Sequence, residues 1–269
     1  MPSVTQPIPY IHLLCMHESA SDAFVRAAAE QGLEPPLLNF TIHNTYLADL
    51  APSVTFDLVV SPANSYGILD GGFDDAISRA FSPRGDYDAL TRVAQRELYR
   101  LHGGYLPPGS CCLVRIPEPF RGTLRYHDGR GWGCRFLALC PTMRVPAPCD
   151  WDRDVVYECV WSLLNAIERH NRGVEAEAEE EEEEGGEGAS SGSGSTKIGS
   201  ILMTPLGTGT GKISDDKWAK QAVLAIKHFI DAKQHPETWS AMSWKETGKI
   251  DIELMKTQSP SELARYFQR

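Results

Sequence analysis

Short apolar runs alternate with amphipathic helical stretches along most of this chain, and this alternation limits the folds that it can adopt. The stretch ALTRVAQRELYRLHGG, for example, carries five apolar residues on one helical face and ends at a glycine pair. Alternating strands and helices are typical of α/β proteins. We therefore predict an α/β chain with one main sheet. The six predicted strands lie in the sequences YIHLLC, LNFTIHN, FDLVVSP, CCLVRIP, RFLALCP and KIGSILMTP.

Two helices in the last quarter of the chain have clear start signals. One is predicted to begin after Ser214, because two aspartates follow this serine and favour the first turn of a helix. The other begins with a capping box of Ser259 and Glu262, with Pro260 first inside the helix. Residues 234–257, between these two helices, give no clear assignment and no recognisable chemistry.

The composition limits the partners and the compartment of the protein. Its 269 residues are 42% hydrophobic, which is enough for a normal core. The net charge is -10, but nine of the 36 acidic residues lie between Glu175 and Glu187, and without them 27 acidic residues face 26 basic ones. The folded part therefore has no strong electrostatic preference, and we do not expect nucleic acid as a partner. With no apolar run near the ~20 residues of a membrane span and no signal-peptide features, we predict an intracellular protein, cytoplasmic or nuclear.

The seven cysteines indicate neither a disulfide framework nor a metal site. Their number is odd, and the sequence has no C-x-x-C pair and no spaced pair of histidines. A free cysteine in an apolar run behaves as a small hydrophobic residue. We therefore expect most of them to be reduced core residues, and we expect no metal. The cysteines are Cys15, Cys111, Cys112, Cys134, Cys140, Cys149 and Cys159.

A block of glutamates followed by a Gly/Ser tract occupies residues 174–195. This composition cannot bury enough apolar surface to order itself, so we predict a disordered, solvated insertion. A helical pattern precedes it and a strand pattern follows it, which is one step of an α/β fold. The tract therefore interrupts one domain, spanning residues 1–269, and does not separate two. The alternative to a passive insertion is an acidic docking element for a basic partner.

The stretch TPLGTGTGKIS, residues 204–214, is a glycine-rich loop between a strand and a helix. It does not match the Walker phosphate loop, because Leu206 stands where the first glycine is required. It does not match the dinucleotide fingerprint either, because Lys212 stands in place of the third glycine. Residues 207–211 would nevertheless present successive backbone N–H groups, which suit a diphosphate without a metal. The alternative is a flexible connector.

A second strand, glycine loop and helix occur at residues 56–81, in the sequence FDLVVSPANSYGILDGGFDDAISRAF. The helix is predicted to start near Phe73. In open α/β sheets, ligands bind beyond the carboxyl ends of the strands. The two glycine loops can therefore form one cleft.

These two stretches resemble motifs of the macro domains, a family that binds ADP-ribose and its derivatives. PANSYGILDGGFDDAI is similar to the first-loop motif of that family, and SILMTPLGTGTG is similar to its second glycine loop. The residues of the first motif, together with the acidic insertion, look closest to a fungal-type branch that processes ADP-ribose 1″-phosphate. The resemblance implies a three-layer α/β/α fold with a mixed sheet, no cofactor, and ADP-ribose or ADP-ribosylated proteins as partners.

The resemblance also implies a catalytic pair, Asn64 and Asp74. An amide can both donate to and accept from a ribose hydroxyl pair, and an ionised carboxylate can orient or deprotonate water. In this reading Asn64 positions the distal ribose, Asp74 activates water, and a phosphate or an acylated side chain is released. Asp74 in the first helical turn would have its ionised form favoured by the helix dipole. The ordinary alternative is a helix N-terminal acid without catalytic work.

The remaining expected ligand contacts come from both loops, and the adenine contact departs from the family pattern. Where macro domains place an aspartate after an early strand, this chain has Asn44, which could accept from the adenine amino group or simply form a turn. Two further functions stay open: a reader of ADP-ribosylated proteins without turnover, and an interaction scaffold that has lost the ligand. The expected ligand-binding residues are Ser65, Tyr66, Gly71, Gly72, Phe73, Leu206, Gly207, Thr208, Gly209, Thr210 and Gly211.

Overall fold

The computed structural model describes residues 8–121, 132–183 and 196–267. All six predicted strands are present and form one sheet in the order β2-β1-β6-β3-β5-β4. Neighbouring strands are parallel except for β4, which is antiparallel to β5. The prediction of a mixed sheet is therefore confirmed. The strands are β1 (Tyr10–Leu14), β2 (Phe40–His43), β3 (Leu58–Ser61), β4 (Cys112–Arg115), β5 (Phe136–Leu139) and β6 (Ser200–Met203).

Three helices begin where their sequence signals place them, at Phe73, Asp215 and Pro260. The Ser214 hydroxyl accepts a hydrogen bond from the Lys217 amide at 3.2 Å, and Ser259 and Glu262 exchange backbone and side-chain bonds at 2.7 and 3.3 Å. Both predicted caps are thus confirmed. The helices are α1 (Glu18–Glu30), α2 (Phe73–Phe81), α3 (Ala89–His102), α4 (Glu118–Arg121), α5 (Val155–Glu183), α6 (Asp215–Gln234), α7 (Pro236–Trp239), α8 (Trp244–Met255) and α9 (Pro260–Phe267), with a 3-10 turn at Leu47–Asp49.

Two hydrophobic cores lie on opposite faces of the sheet. In β3, Leu58 and Val60 point into the core formed with α1, α5 and α6, whereas Val59 points into the core formed with α2 and α3. This alternation follows from the two-residue period of a strand, and the continuous apolar run of β3 reflects burial on both faces. The predicted three-layer α/β/α fold is therefore confirmed.

The stretch at 234–257, which the sequence left unassigned, contains α7 and α8. In α8 the one buried residue is Leu254, although the helix also contains Trp244, Ile250 and Ile252. These side chains are exposed or partly exposed, so they do not form the buried apolar stripe that is typical of an amphipathic helix. It begins instead at a capping box of Ser243 and Glu246.

The acidic stretch differs from its predicted form over its first ten residues. Residues 174–183 continue α5 as a helix, and residues 184–195 lie outside the described residues. Glutamate and alanine are good helix formers, and extending an existing helix carries no nucleation cost. These local preferences outweigh the repulsion between like charges on an exposed helix.

All seven cysteines are free, and all but Cys111 are fully buried, as expected for reduced core residues. Within the described ranges, the His, Cys, Asp and Glu side chains form no group of three or more that could hold a metal ion. In the same ranges, every helix is too short or too polar to cross a membrane.

Candidate functional site

The two glycine loops leave the same edge of the sheet side by side. Strands β3 and β6 are parallel neighbours, with Leu58 opposite Ile201 and Val59 opposite Leu202. The loops at 62–72 and 204–213 follow the carboxyl ends of these two strands. Asn44 follows β2, which is separated from β6 only by β1. At about 5 Å per strand, Asn44 lies roughly 10 Å along this edge from the second loop.

The second loop is closed by its own backbone. The Ile213 amide donates to the Gly207 carbonyl at 3.1 Å, the Lys212 amide donates to the Gly209 carbonyl at 3.0 Å, and the Cys149 amide donates to the Gly211 carbonyl at 2.9 Å. A Cβ on Gly211 would clash with the Gly207 carbonyl and lie 2.7 Å from the Cys149 sulfur. The compact shape of this loop therefore depends on its glycines.

Five consecutive amides of this loop, at residues 207–211, have no acceptor among the residues that the structure describes. Gly209 and Thr210 are exposed and Thr208 is partly exposed, whereas Gly207 and Gly211 are buried, so the middle of this run is open to a ligand. The positive end of the α6 dipole adds little here, because Asp215 and Asp216 already occupy the first turn of the helix. Anion binding here would therefore depend on the loop amides, with the exposed cation of Lys212 beside them.

The first loop is held by the Asn64 side chain. Its Nδ2 donates to the Ile68 carbonyl at 2.7 Å, and its Oδ1 accepts from the amides of Tyr66 and Ile68 at 3.1 and 3.3 Å. Only 9% of the residue is exposed. An asparagine that bonds backbone a few residues ahead is a common turn former. In this conformation the amide group that was expected to position ribose is used by the loop itself.

Two other expected ligand contacts lie in the interior. Ser65 is 0% exposed, its amide donates to the carbonyls of Met143 and Arg144, and its hydroxyl faces the Met143 carbonyl. Leu206 is fully buried in the core next to α6. Neither side chain is available to a ligand, because the segment after β5 covers one and the core covers the other. A glycine-rich loop sequence gives no signal for this burial.

The end of the first loop is only partly exposed, because Gly67 and Leu69 are buried. Its exposed residues are Tyr66, Ile68, Asp70, Gly71 and Gly72. Gly72 has φ 57° and ψ -127°, a backbone conformation that glycine adopts without strain, and it caps α2. Gly71 and Gly72 are exposed, and Phe73 is partly buried against the core. This glycine pair leaves the start of α2 open to an approaching sugar.

A cation that the sequence did not indicate lies beside this loop. The Arg144 guanidinium lies 5.4 Å from the centre of the Tyr105 ring, which in turn packs edge-on against Tyr66 at 5.7 Å. Arg144 follows β5 and is exposed. Its position depends on the pairing of β5 with β3, which is a contact between distant parts of the chain.

Asp74 is buried at the base of the first loop. The Ser61 hydroxyl donates to its Oδ1 at 2.6 Å, and 7% of the residue is exposed. Burial raises the pKa of the Asp74 carboxyl to about 7; the Ser61 hydrogen bond acts in the opposite direction, and the charge of Asp70 adds to the rise. The expectation that the helix dipole keeps Asp74 ionised is thus outweighed by desolvation.

Asn44 is exposed and makes no hydrogen bond to any described residue. Thr208 is partly exposed and donates its hydroxyl to the Pro205 carbonyl at 3.2 Å, while the Thr210 side chain faces solvent. The structure therefore brings the exposed parts of both loops to one edge and places Asn44 farther along it.

Comparisons with known proteins give no match to any family model and no match to a curated protein. Among solved structures, the chain is similar to a mutant macrodomain of Oceanobacillus iheyensis with ADPR, at 17% identity and a TM-score of 0.40, covering 66% of this chain and 73% of that one. It is also similar to an Oceanobacillus iheyensis macrodomain with ADP, at 15% identity and a TM-score of 0.31, covering 67% of this chain and 87% of that one.

Proposed function

We propose that this protein belongs to the macro domains and binds ADP-ribose or a derivative of it along the carboxyl edge of the sheet. The observation that carries the proposal is the run of five amides at residues 207–211, which have no acceptor in the part of the chain that the structure describes. Successive N–H groups form a concave site for phosphate oxygens without a metal ion. Lys212 and Arg144, both exposed near the loops, add positive charge.

The order of the strands matches the order of the groups in this ligand. Along the edge, Asn44 follows β2, the free amides follow β6, and the Gly71-Gly72 pair follows β3. An extended ADP-ribose would place adenine near Asn44, its diphosphate on the amides and its distal ribose at the glycine pair. This linear arrangement favours a dinucleotide-like ligand over a simple phosphate.

Thr210 offers a direct test of the amides. Thr210→Pro removes one N–H group, whereas Thr210→Ala removes the side chain and keeps that group. A hydrogen bond to a charged acceptor contributes about 1.5–3 kcal/mol, so we expect calorimetry with ADP-ribose to show at least tenfold weaker binding for Thr210→Pro only. An equal loss of ADP-ribose affinity in both variants would show that the Thr210 side chain, and not its amide, contributes to binding. No heat with wild type at millimolar ADP-ribose would favour a scaffold that has lost the ligand.

Hydrolysis at the distal ribose is the second candidate, and the environment of Asp74 favours it. A carboxyl with a pKa of about 7 can accept a proton from water near neutral pH. Ser61 occupies Oδ1, and no described residue donates to Oδ2, which is the atom that would take the proton. The reaction would release phosphate from ADP-ribose 1″-phosphate, or ADP-ribose from an acylated side chain.

Asp74→Asn and Asp75→Asn form a matched pair for this second candidate, because Asp75 is the neighbouring acid and pairs with Arg79. Released phosphate from ADP-ribose 1″-phosphate should be lost in the first variant and kept in the second. Binding of ADP-ribose without release by wild type, tested also with an ADP-ribosyl ester, would leave a reader module.

A further inference from the structure

A second cavity, separate from the glycine loops, lies between the start of α5, the turn before β4 and α7. Its volume is about 360 Å³, near the lower limit of ligand pockets in proteins. It suits a single side chain better than a large molecule. Its walls include Gly109, Tyr157, Glu158, Trp161, Ser162 and Trp239.

Aromatic rings form one side of this cavity. The Trp161 ring stacks with Tyr157 at 6.2 Å and an interplanar angle of 13°, and with Trp239 at 5.3 Å and 23°. Trp239 is fixed by a hydrogen bond from its Nε1 to Asp231 at 2.7 Å. All three rings are partly exposed. A rigid aromatic wall of this kind attracts cations and planar groups.

The opposite charge is supplied by Glu158. The residue as a whole is exposed, but its carboxylate lies directly against Gly109, where a Cβ would clash with it. No described residue donates a hydrogen bond to this carboxylate. Burial raises the pKa of the Glu158 carboxyl, and the charges of Asp152 and Asp154 raise it further, against the effect of Arg153. A cation placed here would offset both the desolvation of the Glu158 carboxylate and its repulsion by Asp152 and Asp154.

We propose that this cavity binds the arginine side chain of a partner polypeptide, with the guanidinium against the aromatic wall and paired with Glu158. A guanidinium is planar, stacks on aromatic faces and pairs with a carboxylate through two donors, which a lysine ammonium does not do. Free arginine fits less well, because its own carboxylate would meet Glu158, Asp152 and Asp154. The site would give function to Trp239, which lies in the segment that the sequence left unassigned.

The test uses the full chain with isotope-labelled tryptophan, and the indole signals are assigned by Trp→Phe variants. The probe is acetyl-Gly-Arg-Gly-amide, and its control carries citrulline, which has the same shape and no charge. We expect the arginine peptide to shift the Trp161 and Trp239 signals saturably, and to leave Trp244, which is 93% exposed and outside the cavity, unchanged. The citrulline peptide should bind at least tenfold more weakly.

Two variants distinguish a specific contribution of the Glu158 carboxylate from the general effect of removing one negative charge. Glu158→Gln should weaken binding of the arginine peptide at least tenfold, whereas Glu179→Gln, which neutralises an exposed acid on the same helix, should not change it. The proposal is overturned if citrulline binds as well as arginine, if a lysine peptide binds equally, or if no saturable shift occurs at millimolar peptide. The citrulline control needs no protein variant, so it decides the question even if Glu158→Gln fails to fold.

Discussion

The two glycine loops occupy equivalent positions after neighbouring strands, yet they are built in opposite ways. In the first loop, the Asn64 side chain satisfies the backbone, and the segment after β5 ties Ser65 down. In the second loop, glycines allow the backbone to close on itself, and five amides find no acceptor among the described residues. Polar side chains in a loop therefore need not face a ligand, whereas a loop without them can offer its backbone.

The largest effect should come from the buried acid at the base of the first loop. With its pKa raised to about 7 from 3.8, Asp74 contributes fully to stability at low pH, and this contribution is lost as the pH rises to about 7. Between pH 4 and pH 8 the free energy of unfolding of wild type should therefore fall by on the order of 4 kcal/mol relative to that of Asp74→Asn. Chemical denaturation of both proteins at pH 4, 5.5, 7 and 8 measures this difference. A constant difference across these values would show that Asp74 titrates normally.

Asn64→Ala should break the first loop. It removes three hydrogen bonds worth about 1 kcal/mol each, so we expect a loss of about 3 kcal/mol in the free energy of unfolding. Asn44→Ala is the matched control, because Asn44 is exposed and bonds to no described residue, and its stability should not change. Urea denaturation distinguishes the two. If the free energy of unfolding of Asn64→Ala equals that of wild type, the Asn64 side chain does not hold the loop and is available to bind a ligand.

Gly211→Ala should distort the second loop, because the new Cβ meets the Gly207 carbonyl and the Cys149 sulfur. Crowding of this kind costs about 1–3 kcal/mol, which a thermal shift would detect. Gly209→Ala adds a Cβ with nothing within 4 Å and should keep wild-type stability. If both variants melt at the same temperature, the loop can accommodate a Cβ at residue 211, and its shape does not depend on that glycine.

The sequence was sufficient for the fold but not for side-chain directions at the site. Strand runs and helix caps are local signals, so all six strands and the caps at Ser214 and Ser259 were found. Burial of Ser65 and the placement of Arg144 result from β5 pairing beside β3, a contact between distant segments that no local pattern encodes. The α8 helix also has a local start signal, the capping box of Ser243 and Glu246, but it buries only Leu254. Without a buried apolar face beside it, this cap did not identify the helix.

The central claim is that the free amides of the second loop bind a diphosphate while the Asn64 side chain only holds the first loop. It is tested most directly by following backbone and side-chain amide signals by NMR while ADP-ribose is added. The account predicts saturable shifts of the amides at 207–211, larger than any shift of the Asn64 side-chain amide. Binding that moves the Asn64 side-chain signal and leaves residues 207–211 unchanged would contradict it.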